Sequence, residues 1–166
     1  MKTALRMLRL IPLALWVGSI VFFIIVAGVS FKVLPSVHEA ALVVRGSLLM
    51  LHRLGLLAGA LYLFFTLALL ATQQDSHPVR AVELVLVVAM MVLTLYLQQS
   101  VLPHMETDRL TLGGDVSTAP ADAPAKQHFD RLHALSTRLE GAILAEGLIL
   151  LCLAPIHGRD HGDRYA

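Results

Sequence analysis

The sequence has little of several features that define common protein classes. Cys152 is the only cysteine among 166 residues, so a disulfide-stapled scaffold is excluded. Charged residues make up only 15% of the chain and the net charge is +1, which excludes a disordered chain and a strongly basic reader of nucleic acid. The chain has no glycine-rich phosphate loop, Cys-x-x-Cys, His-Glu-x-x-His or nucleophile elbow. The sequence therefore assigns no enzyme class and favours a non-enzymatic protein.

Hydrophobic residues, in contrast, make up 57% of the chain and are concentrated in four long stretches. A bilayer core of about 30 Å is crossed by roughly 20 residues of helix. We therefore predict an all-α fold, an integral membrane four-helix bundle that forms a single domain over residues 1–166. The expected helices cover about 10–32, 43–72, 80–102 and 128–156, and an extramembrane loop covers 103–127.

The cations before the first apolar stretch indicate an orientation. Lys2, Arg6 and Arg9 precede it, and the first helix usually dominates the positive-inside rule. We expect both termini in the cytoplasm and the chain in the cytoplasmic (inner) membrane. The expected partners are the lipid bilayer and either further copies of the chain or a larger membrane complex, but not nucleic acid.

The second helix combines a histidine with two glycines. His52, Gly55 and Gly59 share one helix face at positions i, i+3 and i+7. A Gly-x-x-x-Gly pair lets a neighbouring helix approach closely, so we interpret Gly55 and Gly59 as helix-packing residues. His52 faces this tight seam, either as a functional group or as an interfacial histidine at its mouth.

Polar residues of the third and fourth helices are expected at the same depth as His52. Gln98 lies near the end of the third helix, and His133 and Glu140 share one face of the fourth at i and i+7. We interpret His52, Gln98, His133 and Glu140 as candidate ligand-binding residues. A haem or divalent metal held by His52 and His133, with Glu140 nearby, is one alternative; a hydrogen-bonded belt that sets helix register is the other. The cofactor and the metal stay unknown at this point.

Two carboxylates are candidates for carrying protons. Glu146 falls near the middle of the fourth apolar stretch, and intramembrane ionisable residues are functional hypotheses by default. Glu83 begins an inward-facing stripe of the third helix at helical spacing. The members of that stripe are Glu83, Val87, Met90, Thr94, Gln98 and Val101. It is interpreted either as a polar pathway or as side-chain hydrogen bonding between helices.

Three short motifs resemble a known family. They are an early Trp and Gly-Ser in the first helix, a Leu-Pro-x-Met exit from the third, and a Phe-x-x-Leu-His-x-x-Ser entry to the fourth. The residues that carry them are Trp16, Gly18, Ser19, Leu102, Pro103, Met105, Phe129, Leu132, His133 and Ser136. This pattern is similar to the domain-of-unknown-function 4149 family (transmembrane protein 205-like) over about residues 10–155. The resemblance implies a four-span membrane protein without an established biochemical activity. It favours His133, and Glu140 stands where we expect the family to carry Asn.

Together these features predict a small membrane module without enzymatic activity. It either packs into a larger membrane assembly or binds a ligand in its polar core. A membrane redox protein that holds haem or metal with His52 and His133 is the first alternative. A proton-linked transporter that uses Glu146 and Glu83 is the second.

Overall fold

Four helical rods, joined by short connections, make up the computed structural model, which describes residues 2–72 and 78–153. Helix α3 continues through five residues of π-helix into α4, so that α3 and α4 form one rod. No strand occurs in the described ranges. The predicted all-α, four-helix fold is therefore confirmed. The helices are α1 Lys2–Val33, α2 Val37–Thr72, α3 Pro78–Tyr96, the π segment Leu97–Val101, α4 Leu102–Thr111 and α5 Pro124–Leu153.

The rods are arranged as a four-membered ring. Helices α1 and α3 each pack along both α2 and α5, and α4 packs on α5. Helices α1 and α3 are thus diagonal to each other, as are α2 and α5. Because the connections are short, consecutive rods run in opposite directions. We call the end where α1 begins the N-terminal end, and the end with the α1–α2 turn the hairpin end.

Three of the rods have the length and composition to cross a membrane. They are Met7–Val33, Val37–Ala71 and Arg80–Thr111, with mean hydropathies of 2.6, 2.2 and 2.1. The chain is therefore a helical membrane protein. Helix α5 has the length, but its more apolar half contains Arg138, Glu140 and Glu146. That α5 also crosses the membrane stays a prediction.

The α1–α2 turn explains why α2 begins earlier than expected. Pro35 disfavours helical geometry at the residue before it and stops α1. The hydroxyl of Ser36 then accepts a hydrogen bond from the Glu39 N–H at 3.1 Å, which caps the first turn of α2. Helix α2 consequently starts at Val37 rather than near residue 43.

The segment 103–127, expected as a loop, is partly helical. Pro103 does not end the third rod; the helix continues through α4 and stops where Gly113 and Gly114 have φ of +78° and +95°. The Gly114 N–H donates to the carbonyl of Arg109 at 2.9 Å, a Schellman closure that requires such a conformation. The non-helical connection is therefore much shorter than predicted. At the other boundary, α5 ends at Leu153, and the expected residues 154–156 lie outside the described residues.

Charged residues link the rods at the hairpin end. Arg45 of α2 lies 3.1 Å from the carboxylate of Glu106, which also binds Arg109 at 2.8 Å. Asp108 of α4 binds His128 of α5 at 2.7 Å. The 36 residues of α2 extend about 54 Å, well beyond a bilayer core of about 30 Å. These ion pairs suit the part of the bundle that extends past the lipid.

Candidate functional site

A histidine and a glutamate meet inside the bundle across its α2–α5 diagonal. The Nε2 of His52 is hydrogen-bonded to Oε1 of Glu140. The His52 side chain is 2% exposed and that of Glu140 is 15% exposed. His52 lies about 22 Å along α2 from its first residue, so the contact is well inside the bundle.

Helix register places Gln98 at the same level as His52. A Cβ atom built on Gly59 of α2 would come within 2.8 Å of the side chain of Met91, so these positions face each other. Because α2 and α3 are antiparallel, His52 and Gln98 each lie seven residues from that contact, towards the hairpin end. Seven residues are about two helical turns, which returns both positions to the shared face.

A second contact places Glu140 at this level independently. A Cβ atom on Gly147 of α5 would come within 3.2 Å of Met90 of α3. Glu140 lies seven residues from Gly147 towards the hairpin end, and Leu97 lies seven residues from Met90 in the same direction. Leu97 is the neighbour of Gln98. His52, Gln98 and Glu140, from three different rods, therefore occupy one level of the bundle, and we call these three residues the polar site.

The π segment decides how the third rod presents Gln98. The N–H of Leu102 donates to the carbonyl of Leu97, the five-residue spacing of a π-helix. The widened turn directly precedes Pro103, whose ring and missing N–H disrupt a regular α-helix. Leu97 and Val101 are buried as a result, and Gln98 is half-buried. Such single π turns occur frequently at functional sites.

Two polar atoms of the polar site have no hydrogen-bond partner among the described residues. They are Nδ1 of His52 and Oε1 of Gln98, and both are fully buried. Nε2 of His52 faces a carboxylate, which fixes the ring proton on that nitrogen when the imidazole is neutral. Nδ1 then carries a free lone pair. His52 and Gln98 thus each bring one buried hydrogen-bond acceptor without a partner to this level of the bundle.

His133 does not join the polar site. Its side chain is exposed on α5, and its ring stacks on Phe129 with centroids 6.3 Å apart. His52 is bonded to Glu140 instead. The described residues contain no group of three or more His, Cys, Asp or Glu side chains that could hold a metal ion. The proposed sharing of one haem or metal by His52 and His133 therefore has no support in this geometry.

The glycines of α2 pack against the chain's own tryptophan. A Cβ on Gly55 would collide with the indole of Trp16, and one on Gly59 would come within 2.8 Å of it. The Gly-x-x-x-Gly face is therefore filled by α1 and by Met91 of α3 within this chain. It does not supply a surface for a separate partner.

A second charged pair crosses the other diagonal of the bundle, between α1 and α3. The guanidinium of Arg9 donates to both carboxylate oxygens of Glu83, at 2.9 and 3.4 Å. The two side chains are 6% and 0% exposed, and the Arg9 guanidinium lies 5.8 Å from the centre of the Tyr62 ring. Arg9 therefore engages both carboxylate oxygens of Glu83 in charge-assisted hydrogen bonds.

Glu146 lies closer to the middle of the bundle. It is half-buried on α5, and its Oε2 is buried without a hydrogen-bond partner among the described residues.

The inward stripe of the third rod is confirmed by the burial of Glu83, Val87, Met90, Thr94 and Val101. Thr94 donates to the carbonyl of Met90 at 2.8 Å, so its hydroxyl is used within its own helix.

Sequence reasoning missed the partnership of Arg9 and the role of the π segment. Arg9 was counted as a cation at the membrane surface, but it is buried against Glu83. The available signal was that Arg9 and Glu83 lie in the early turns of two rods that begin at the same end of the bundle. The π segment had a weaker signal, the polar Gln98, Gln99 and Ser100 shortly before Pro103.

Comparison with known proteins gives one match. A family model described as domain of unknown function (DUF4149) matches residues 11–109. This range contains His52 and Gln98 but ends before α5 and Glu140. No curated protein and no solved structure matches the chain.

Proposed function

We propose that this chain, which belongs to the DUF4149 family, is a non-enzymatic membrane module that binds a ligand through polar residues between its helices. The proposed ligand-binding residues are His52, Gln98 and Glu140. The observation that carries the proposal is the buried, unpartnered Nδ1 of His52, held in orientation by Glu140 on the other side of the ring.

Buried polar atoms without a hydrogen-bond partner lower the stability of the protein. A buried polar atom without a hydrogen bond destabilises a fold by about 1–3 kcal/mol. Two such atoms at one level, Nδ1 of His52 and Oε1 of Gln98, are expensive if they serve packing alone. Polar groups that a fold keeps at such a cost are typical of binding sites.

We further propose that the protein lies in the cytoplasmic (inner) membrane with both termini in the cytoplasm. Lys2 and Arg6 before the first span support this orientation, whereas Arg9 is buried in an ion pair and no longer counts as a loop cation. Further copies of the chain or a larger membrane complex are its proposed partners. A reporter enzyme that is active only outside the cytoplasm, fused after Leu153, is expected to be inactive. An active fusion would reverse the orientation.

The ligand-binding proposal is tested by a substitution that removes the unpartnered side-chain carbonyl of Gln98. Gln98→Leu removes a buried acceptor without a partner, so the free energy of unfolding is expected to rise by about 1 kcal/mol. The measurement is thermal unfolding of the purified protein in detergent. Gln99→Leu, at an exposed neighbouring position, is the matched control and is expected to leave the melting temperature unchanged. A lower melting temperature for Gln98→Leu would mean that Gln98 stabilises the bundle, and the proposal would fail.

Proton-linked transport is a second candidate function, supported by Glu146 alone. Its buried and unpartnered carboxyl oxygen is suited to holding a proton inside the bundle. Glu146→Gln is expected to abolish proton movement into liposomes that contain the protein, as reported by an entrapped pH-sensitive dye. Equal proton fluxes for the wild type and the variant would remove this candidate.

A further inference from the structure

The free atoms of the polar site share one hydrogen-bonding character. Nδ1 of a neutral His52 accepts, because the ring proton is on Nε2 against Glu140. Oε1 of Gln98 is a carbonyl oxygen and also accepts. The Glu140 carboxylate has only acceptor oxygens when it is ionised. A molecule that satisfies this site must therefore be a hydrogen-bond donor.

The charge of the polar site favours a cation. Its three side chains carry one formal negative charge when His52 is neutral and Glu140 is ionised. The cationic neighbours in sequence, Arg53 and Arg138, have exposed side chains and face away from the bundle. A carboxylate inside a helical bundle gains most from a positive partner, because the surrounding dielectric is low.

We propose that the polar site binds a primary ammonium group carried on an apolar body. This inference rests on the proposed ligand-binding function and names its ligand class. A primary ammonium presents three N–H donors and one positive charge. These match Nδ1 of His52, Oε1 of Gln98 and the Glu140 carboxylate. The apolar body suits the hydrophobic neighbours of His52 and Gln98 in sequence, Leu51 and Leu97, which are buried.

The test compares three probes of the same chain length on the purified full chain. Octylamine has both the charge and the N–H donors, octyltrimethylammonium has the charge alone, and octanol has a neutral donor. A ligand that binds only the folded protein stabilises it by RT ln(1 + [L]/Kd), so the melting temperature rises as the ligand concentration exceeds the Kd. We expect octylamine to raise the melting temperature, and the other two probes to act only at concentrations at least about tenfold higher, since each lacks a charged hydrogen bond.

Variants then show whether the effect arises at the polar site. Gln98→Leu and Glu140→Gln are each expected to weaken the octylamine effect by about tenfold or more, because each removes one acceptor or the charge. Gln99→Leu and His133→Phe replace exposed side chains nearby and are the matched controls, with no expected change. An equal octylamine response in Gln98→Leu and in the wild type would overturn the proposal, even if Glu140→Gln does not fold.

The same chemistry occurs on a lipid headgroup and on a free amine, and a second arm separates them. Bilayer discs of phosphatidylethanolamine present a primary ammonium, whereas discs of phosphatidylcholine present a quaternary one. If the wild type is more stable in phosphatidylethanolamine discs than in phosphatidylcholine discs, and Gln98→Leu loses this difference, the lipid headgroup is the source of the ammonium. Equal stability in both discs, with octylamine still active, identifies a free amine.

The failure of this inference and that of the proposed function give different results. If octanol matches octylamine, or if octyltrimethylammonium does, the ammonium assignment is wrong but the polar site still binds ligands. If none of the probes acts and Gln98→Leu also lowers the melting temperature, both the inference and the proposed function fail.

Discussion

Two pairs of ionisable side chains each cross a diagonal of this bundle, and their hydrogen bonding differs. Each joins a pair of diagonally opposed helices, Arg9 with Glu83 across α1 and α3, and His52 with Glu140 across α2 and α5. The first pair uses both carboxylate oxygens. The second uses one ring nitrogen of His52. Each pair also leaves one buried nitrogen unpartnered among the described residues, the donor Nε of Arg9 in the first and Nδ1 of His52 in the second.

The two pairs differ in whether the cationic side chain has a fixed charge. Arginine is always protonated and makes bidentate contacts, so Arg9 and Glu83 form a fixed connection near the N-terminal end. Histidine changes its charge near neutral pH and has two distinct nitrogens. The same element, a carboxylate on the diagonally opposite rod, therefore binds a permanent cation in one part of the bundle and orients an imidazole ring in the other.

Breaking the arginine pair is expected to have the largest effect. Arg9→Leu removes the guanidinium that binds both carboxylate oxygens of the buried Glu83, which costs about 3–5 kcal/mol and should prevent recovery of folded protein. Folded yield and thermal unfolding in detergent are the measurements. The double variant Arg9→Leu/Glu83→Leu is expected to recover most of the stability, because both charges of the pair are removed. If the single variant is as stable as the wild type, the pair has no structural role.

The contact between Gly55 of α2 and Trp16 of α1 is expected to have the next largest effect on stability. Gly55→Ala places a methyl group against the indole of Trp16 and is expected to cost about 1–3 kcal/mol. Gly46→Ala on the same helix has no atom within 4 Å of its new Cβ, so it should be neutral or slightly stabilising. The two melting temperatures check this prediction, and their equality would contradict it.

The histidine pair is expected to tolerate a change that the arginine pair does not. Glu140→Gln keeps an acceptor for the ring N–H and should change stability by about 1 kcal/mol or less. Glu83→Gln leaves a buried arginine without an anion and should cost about 3–5 kcal/mol. Parallel thermal unfolding of these matched variants compares the pairs directly. Equal losses would mean that both pairs are structural.

The smallest effect is expected at the hairpin end. Arg45 is exposed and pairs with Glu106 at 3.1 Å, so Arg45→Ala should lower stability by about 0.2–1 kcal/mol. That loss should shrink further in high salt, because exposed charges are screened. Unfolding in low and high salt is the measurement. A loss that does not change with salt would show that Arg45 acts through packing rather than charge.

Part of the polar site was predictable from the sequence alone. Counting residues from the helix ends placed His52, Gln98 and Glu140 at one depth, and the structure brings His52 and Glu140 into contact. The same counting also included His133, which is exposed. Depth follows from the rise per residue, but inclusion in the core depends on how each rod is rotated against its neighbours.

The sequence by itself determined the helical class, the membrane character and the inward face of the third rod. These follow from the hydrophobic period and from the length of apolar runs, which are local properties of the chain. The tertiary structure decided that Arg9 binds Glu83 rather than facing solvent, and that His52 binds Glu140 rather than His133. It also decided that Trp16 fills the glycine face. Each of these contacts joins distant positions on separate rods, and their geometry depends on helix rotation, which no local pattern specifies.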